Sequence, residues 1–163
     1  MKNKSQAELF NKIHNKYKDN YYDKYSNFYR SKVILSKFRK FFDFKKNILE
    51  VGCGGGSNYE IFQKNHMISG YYYAMDISKE CVDDFNNMNI NNKNADAYLG
   101  DFTKRNLDLN QTFDLILFMG VLHHMANDLD IVMDNINRHL NSEGIVIFSE
   151  PNANFLNSIR KIW

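Results

Sequence analysis

The sequence predicts a doubly wound α/β fold, in which helices cover both faces of a parallel sheet. Short apolar segments alternate with helical patterns along most of the chain, as expected for strands joined by right-handed helical crossovers. The first strand segment, 47–51, lacks polar–apolar alternation, so we expect it to be buried on both faces. A glycine-rich loop follows the first strand at residues 52–56, and ligands bind outside the carboxyl ends of strands in such sheets.

The bulk composition indicates a globular protein of ordinary core size. The chain has 163 residues, of which 44% are hydrophobic, and no apolar run fits a signal peptide or a membrane span. Its two cysteines, Cys53 and Cys81, are far apart in sequence and have no Cys-x-x-Cys spacing. We therefore expect two free thiols in a reducing compartment and a cytoplasmic protein.

The charge is divided unevenly along the chain. Residues 1–46 hold 13 Lys and Arg against 4 Asp and Glu, whereas residues 47–163 hold 8 against 15. A basic arm of this kind can meet phosphates, nucleic acid or anionic surfaces. Compositional bias toward lysine and asparagine is the alternative explanation.

The basic arm is predicted to be helical. Apolar positions recur every four residues from Ser5 to Tyr17, and a second helical pattern runs from Asn27 to Phe42. Four tyrosines lie in or before this second pattern and are expected to pack in the core or to cover a ligand: Tyr21, Tyr22, Tyr25 and Tyr29. We expect residues 1–46 to form a helical arm or lid on a ligand-binding domain at residues 47–163.

The main domain begins with two strand–helix units. The first strand, 47–51, leads through the glycine loop into a helix at 58–64, which Ser57 or Asn58 can cap. A second strand at 68–75 ends at Asp76, and Ser78 can cap the helix that follows.

Three more strands complete the predicted sheet. A weak strand at 95–99 ends at Gly100-Asp101. The segment 113–119 is the most hydrophobic run in the chain and is expected to be a central strand. A helix at 128–140 and a strand at 144–149 follow. Each candidate functional residue stands at the carboxyl end of a strand.

Spacing narrows the choice of cofactor. A nucleoside triphosphate loop needs Lys-Ser/Thr after its glycines, but Ser57-Asn58 stands there. A dinucleotide fingerprint would place glycine or alanine at position 57, where Ser57 is an imperfect match. A third glycine-loop pattern fits this sequence better than either of these two.

That third pattern is acid-x-Gly-x-Gly-x-Gly at residues 50–56, with Glu50 as the acid. Further motifs follow in order: Asp76 ends the second strand, Gly100-Asp101 ends the third, Phe113–Ile116 opens the fourth, Val121–His124 follows it, and Leu140–Gly144 precedes the fifth. On these residues the chain resembles the class I S-adenosylmethionine-dependent methyltransferases, in particular their small-molecule group. The resemblance implies a Rossmann-like sheet with strand order 3-2-1-4-5.

The resemblance also implies a site for S-adenosylmethionine. Glu50 would orient the amino-acid end of the cofactor, Asp76 would accept hydrogen bonds from both ribose hydroxyls, and Asp101 would accept one from the adenine amine, with Phe102 beside the ring. The complete implied set of cofactor-binding residues is Glu50, Gly52, Cys53, Gly54, Gly56, Asp76, Ile77, Asp101, Phe102 and Gly120. Asp76 could instead cap a helix, and Asp101 could form a turn.

Methyl transfer requires the acceptor to be aligned with the methyl group, and a hydroxyl acceptor must also lose a proton. His123 and His124 are the candidate catalytic bases. Adjacent residues on an extended segment point in opposite directions, so we expect at most one of them to face the acceptor. No spacing of His, Asp or Glu indicates a metal, and none is predicted. Arg30 is a candidate partner for the carboxylate of the cofactor.

The expected acceptor is a small molecule, such as a metabolite, sugar or lipid precursor, methylated on oxygen or nitrogen. One alternative is an RNA methyltransferase that grips phosphates with the basic arm, although the Asn/Asp-Pro-Pro-Tyr/Phe motif of base amino methylation is absent. Another alternative is a non-catalytic, cofactor-binding fragment.

The carboxyl-terminal part of the sequence has no segment for the sixth and seventh strands that the family usually carries. The fifth strand would then be an exposed apolar edge. We therefore expect either a fragment of a longer protein or a homodimer that pairs through this edge.

Overall fold

The computed structural model describes residues 6–12 and 24–150 of the chain. Within this part, five strands form one sheet in the order β3-β2-β1-β4-β5, and all four strand pairs are parallel. The predicted fold class and strand order are thus confirmed. The strands are β1 (Asn47–Val51), β2 (Tyr71–Asp76), β3 (Ala95–Leu99), β4 (Phe113–Met119) and β5 (Leu140–Ser149).

Helices precede the sheet and connect its strands. They are α1 (6–12), α2 (Lys24–Phe38), α3 (Ser57–Lys64), α4 (Lys79–Met88) and α5 (Leu129–His139), with 3₁₀ turns at Arg39–Phe41 and Leu122–Met125. No described helix has the length and apolar character needed to cross a membrane. The predicted tyrosine roles at Tyr21 and Tyr22, and the side chains of Tyr25 and Tyr29, lie outside the described part.

The core lies on both faces of the two innermost strands. β1 occupies the middle of the sheet between β2 and β4, and β4 is buried along almost its whole length. One apolar cluster includes Phe62, Tyr72 and Phe85, while the other, on the opposite face, includes Phe102 and Phe118. The absence of alternation in these strands therefore reflects burial on both faces, as predicted.

Several element boundaries differ from the sequence prediction. The helix predicted to reach Phe42 ends at Phe38 and continues as a 3₁₀ turn. The predicted cap of α3 is wrong: the N-cap is Gly56, with a φ of 89°, whereas Ser57 and Asn58 are the first two residues of the helix. A left-handed residue at this position turns the loop sharply into the helix, and glycine tolerates it without strain.

The last strand begins earlier than predicted because its pairing with β4 is irregular. Leu140 pairs with Phe113, but Leu115 pairs with Ile145, so the intervening residues of β5 form an irregular excursion. Asp114 holds this region in place: Oδ1 accepts a hydrogen bond from Asn141 at 2.7 Å. Its other oxygen, Oδ2, accepts from the backbone N–H groups of Lys46 and Asn47 at 2.9 and 3.0 Å. These bonds tie together the starts of β1, β4 and β5.

The two outer strands of the described sheet are β3 and β5. Near the carboxyl end of β5, Phe148 is 43% exposed, although its ring stacks on that of Phe118 in β4 at a centroid distance of 5.2 Å. Within residues 24–150, β5 therefore presents the apolar edge that the sequence predicted.

Candidate functional site

A cavity opens at the carboxyl ends of the parallel strands, where the predicted site residues converge. It holds about 1160 Å³ of space, part of it open to solvent. Its walls come from the loops after β1, β2, β3 and β4 and from α1. Predicted site residues that line it are Gly52, Cys53, Gly54, Asp76, Ile77, Asp101, Phe102, Gly120 and His124. The walls do not include Glu50, Gly56 or His123.

The glycine loop is shaped by contacts within the protein. Gly52 has a φ of 72°, and a Cβ placed there would lie 2.3 Å from Cγ2 of Val121, in the loop after β4. Gly56 has a φ of 89°, and its Cβ would lie 2.8 Å from the ring of Phe85 on α4. Both values are far below van der Waals contact, so these two glycines are required by backbone conformation and close packing.

Glu50 lies beneath the loop and does not line the cavity, and its role in orienting the amino-acid end of the cofactor stays a prediction. It is fully buried at the end of β1. Asn58 Nδ2 donates to Oε1 and Tyr72 Oη donates to Oε2, both at 2.7 Å. Burial raises the pKa of Glu50 to about 7, although these hydrogen bonds and the charge of Arg30 lower it in part. Glu50 thus supports the loop from below.

Asp76 joins the loop after β2 to the glycine loop. Its Oδ2 accepts a hydrogen bond from Gly54 N, and its Oδ1 accepts one from Ser78 N, both at 2.9 Å. A carboxylate has about four lone-pair sites, so accepting these two bonds is compatible with further donors from a ligand. The predicted cap by Ser78 is confirmed, because Ser78 Oγ accepts from Cys81 N at 3.3 Å.

Asp101 lines the cavity and also stabilises the turn after β3. Its Oδ1 accepts from Thr103 N at 2.9 Å and from Thr103 Oγ1 at 2.7 Å. Phe102 lines the cavity, but its ring is 1% exposed and packs edge-on against Phe118 at 5.4 Å between centroids. Phe102 is therefore a core residue at the cavity wall, and its placement beside the adenine stays a prediction.

The two histidines after β4 do not point in opposite directions as predicted. They lie on the 3₁₀ turn Leu122–Met125, and their rings are only 3.9 Å apart between centroids. Adjacent side chains on a 3₁₀ turn are about 120° apart around the axis, whereas those on an extended segment point to opposite sides, so the two rings can lie close together. The expectation that at most one faces the ligand nevertheless agrees with the geometry, since only His124 lines the cavity.

Glu150, which the sequence analysis did not identify, holds this turn. Its Oε1 accepts from Val121 N at 3.0 Å and from Leu122 N at 2.7 Å, and its Oε2 lies 2.6 Å from Nδ1 of His123. Its position directly after β5, at the same edge of the sheet as the other acids, was the available sequence signal. The strand ends of β4 and β5 are also joined by Gly120 N donating to Ser149 O at 2.7 Å.

The amino-terminal helix α1 supplies part of the cavity wall through two residues that the sequence analysis did not single out. Gln6 and Phe10 line the cavity, and the ring of Phe10 meets the ring of His124 edge-on at 5.2 Å. An aromatic residue on an amphipathic helix was the only sequence signal, and it does not distinguish a core position from a ligand wall.

Comparison with known proteins identifies relatives of this architecture. A sequence model described as "Methyltransferase domain" matches residues 22–163. A search of curated proteins found no match.

Solved structures give a consistent picture of the fold. The plantazolicin methyltransferase BpumL, solved with a desmethylPZN analogue and SAH, has a TM-score of 0.67 and 20% identity over 90% of this chain and 55% of its own. An S-adenosylmethionine-dependent methyltransferase from Clostridium acetobutylicum ATCC 824 has a TM-score of 0.67 and 21% identity over 93% and 61%. A protein from Pyrococcus horikoshii OT3 has a TM-score of 0.70 and 18% identity over 88% and 62%. The chain therefore spans between 55 and 62% of the length of these three structures.

Proposed function

The chain belongs to the methyltransferase-domain family, and on this premise we propose that it binds S-adenosylmethionine and transfers its methyl group to a small-molecule acceptor. The acceptor atom is an oxygen or a nitrogen. The observation that carries the proposal is the single cavity in which a left-handed glycine loop, Asp76, Asp101 and His124 meet.

The chemistry of the cavity wall fits this cofactor. No Lys or Arg stands among the described residues that line the cavity, whereas a nucleoside triphosphate loop carries a Lys-Ser/Thr pair that binds phosphate. S-adenosylmethionine carries no phosphate. Its ribose diol suits the carboxylate of Asp76, and its adenine suits the region between Asp101 and the apolar side chains of Met75 and Ile77.

Within this proposal the protein contributes position and exclusion of water. The bound cofactor would supply a methyl group on a positively charged sulfur, and its transfer leaves a neutral thioether. Asp76 and the glycine loop fix the cofactor, because their mutual hydrogen bond makes the loop and the carboxylate one rigid unit. Phe10 and Gln6 close the side of the cavity nearest α1, which supports an acceptor-side role for the segment 1–46.

Isothermal titration calorimetry with S-adenosylmethionine, S-adenosylhomocysteine and NAD tests the proposal. We expect binding of the first two ligands and none of NAD. Binding of NAD alone would overturn the cofactor assignment.

Incubation with radiolabelled S-adenosylmethionine then separates the classes of acceptor. We expect label in small molecules of a metabolite extract and none in purified RNA. Label in RNA would support the basic arm as an RNA-binding segment, whereas cofactor binding without any transfer would indicate a binding domain.

We infer a cytoplasmic location from the cysteines. Cys53 and Cys81 are free and buried beside the cavity, and burial raises the pKa of both thiols. A protein that keeps two thiols next to its ligand site suits a reducing compartment.

A further inference from the structure

The carboxylate of Glu150 connects three parts of the turn that forms one wall of the cavity. It accepts from two successive backbone N–H groups, Val121 and Leu122, and it pairs with His123 Nδ1 at 2.6 Å. A carboxylate with bonds to both backbone and side chain fixes the turn and the imidazole at the same time. Glu150 follows His123 by 27 residues in the sequence. The two side chains meet because β4 and β5 are paired in the sheet.

We propose that Glu150 is a positioning residue: it holds His123 in the tautomer with the proton on Nδ1 and thereby places His124 to accept the proton of the methyl acceptor. This inference rests on the proposed function. An ionised carboxylate only accepts hydrogen bonds, so the short contact requires the proton on Nδ1 of His123. The same logic orients histidines in other carboxylate–imidazole pairs.

Of the two histidines, His124 is the one whose ring can contact an acceptor in the cavity. It lines the cavity, and it is held between the ring of His123 at 3.9 Å and that of Phe10 at 5.2 Å. Contacts on two sides restrict the rotation of this ring at the cavity wall.

The charges around His124 are suited to a base. Burial lowers its pKa, His123 lowers it further, and the negative charge of Glu150 raises it. Phe10, which packs on it from α1, carries no charge. The ring is therefore neutral before the reaction, and Glu150 stabilises the imidazolium that forms.

The proton balance is simple. An O–H or N–H acceptor would give its proton to a ring nitrogen of His124 as its lone pair bonds to the methyl carbon, and the carbon–sulfur bond that breaks would leave its electron pair on a neutral thioether. His124 becomes an imidazolium and returns to the neutral state by releasing the proton to water. No oxidant, metal or further reactant is required.

Long-range ¹H–¹⁵N NMR of the imidazoles in the 163-residue chain tests the inference without turnover. The variants are Glu150→Gln, Glu150→Asp and the matched control Glu143→Gln, an exposed glutamate on β5; His123→Asn and His124→Asn assign the signals. In the neutral form of His123, we expect the proton on Nδ1 in the wild type and in E143Q, and a shift toward the Nε2-protonated tautomer in E150Q. We also expect the titration of His124 to move to lower pH in E150Q, because a negative charge is lost.

The wild-type spectrum alone can overturn the inference, even if E150Q does not fold: a neutral His123 with its proton on Nε2 excludes the proposed pairing. Unchanged His123 and His124 signals in folded E150Q would do the same. Partial retention of the wild-type tautomer in E150D would show that the charge, and not only the side-chain length, sets it.

Addition of S-adenosylhomocysteine separates this inference from the proposed function. We expect the ligand to shift the signals of His124 more than those of His66 and His139. If calorimetry shows binding and His124 does not respond, the inference fails while the cofactor assignment stands. If no binding is measured, the proposed function fails, and His124 loses its assigned role with it.

Discussion

Asn58 donates a 2.7 Å hydrogen bond to the buried carboxyl of Glu50, joining the first turn of α3 to the end of β1. Asn58 also lines the cavity, whereas Glu50 does not. Tyr72 in the neighbouring strand completes the arrangement from the other side of the carboxyl. Glu50 therefore acts on the site through the glycine loop that it supports.

The burial of Glu50 predicts a pH-dependent stability. Its pKa is raised from 4.5 to about 7 in the folded protein, so the folded state binds a proton more tightly than the unfolded state. The stabilisation is complete below about pH 4.5 and is lost as the pH rises through 7, a change of about 3 kcal/mol.

Urea unfolding of the wild type and Glu50→Gln across this range checks that prediction. We expect the unfolding free energy of the wild type to fall relative to E50Q as the pH rises, because glutamine has no proton to lose. Glu143→Gln is the control and should follow the wild type. Parallel curves for the wild type and E50Q would contradict the prediction.

Replacement of Gly52 by alanine should destabilise the protein by about 1–3 kcal/mol, because alanine is strained at a positive φ. The added Cβ would also lie 2.3 Å from a methyl group of Val121. Gly55→Ala is the matched control, since Gly55 lies in the same loop but not in the left-handed region. Thermal unfolding compares the two variants, and an equal loss of stability in both would show that Gly52 has no special requirement.

Asp76→Asn should weaken binding of S-adenosylhomocysteine at least about tenfold, or about 1.4 kcal/mol. The change removes the negative charge that would accept hydrogen bonds from the ribose diol. It also replaces one carboxylate oxygen by an amide N–H₂, which would face the backbone N–H of either Gly54 or Ser78 and cannot accept its hydrogen bond. Asp83→Asn on α4 is the control, because Asp83 pairs with Lys79 on the surface. Calorimetry would contradict the assignment of Asp76 if both variants bound the ligand like the wild type.

Phe10→Ala should weaken binding of S-adenosylhomocysteine by about threefold or more, because burying an aromatic ring at a ligand wall contributes on the order of 1 kcal/mol. The ring lines the cavity and contacts His124. Leu9 precedes it on the same helix and is 53% exposed, so Leu9→Ala is the matched control. Equal affinities in the two variants would argue against a closing role for α1.

The sequence determined the parts of this protein that depend on local pattern and on the rules of parallel sheets. Apolar segments without alternation gave buried strands, and the acids at the ends of successive strands were expected to converge because parallel strands end at one edge of the sheet. On this basis Asp76, Asp101 and the glycine loop were correctly expected to share one site.

The tertiary structure decided which residues reach the cavity and which support it. The burial of Glu50, the contact between Gly52 and Val121, the packing of Phe10 on His124 and the pairing of Glu150 with His123 all join segments that are distant in sequence. Such contacts follow from the register of β1, β4 and β5 and from the path of α1, and no local periodicity encodes them. For this reason the two histidines could be found in the sequence, but the contact of His123 with Glu150 could not.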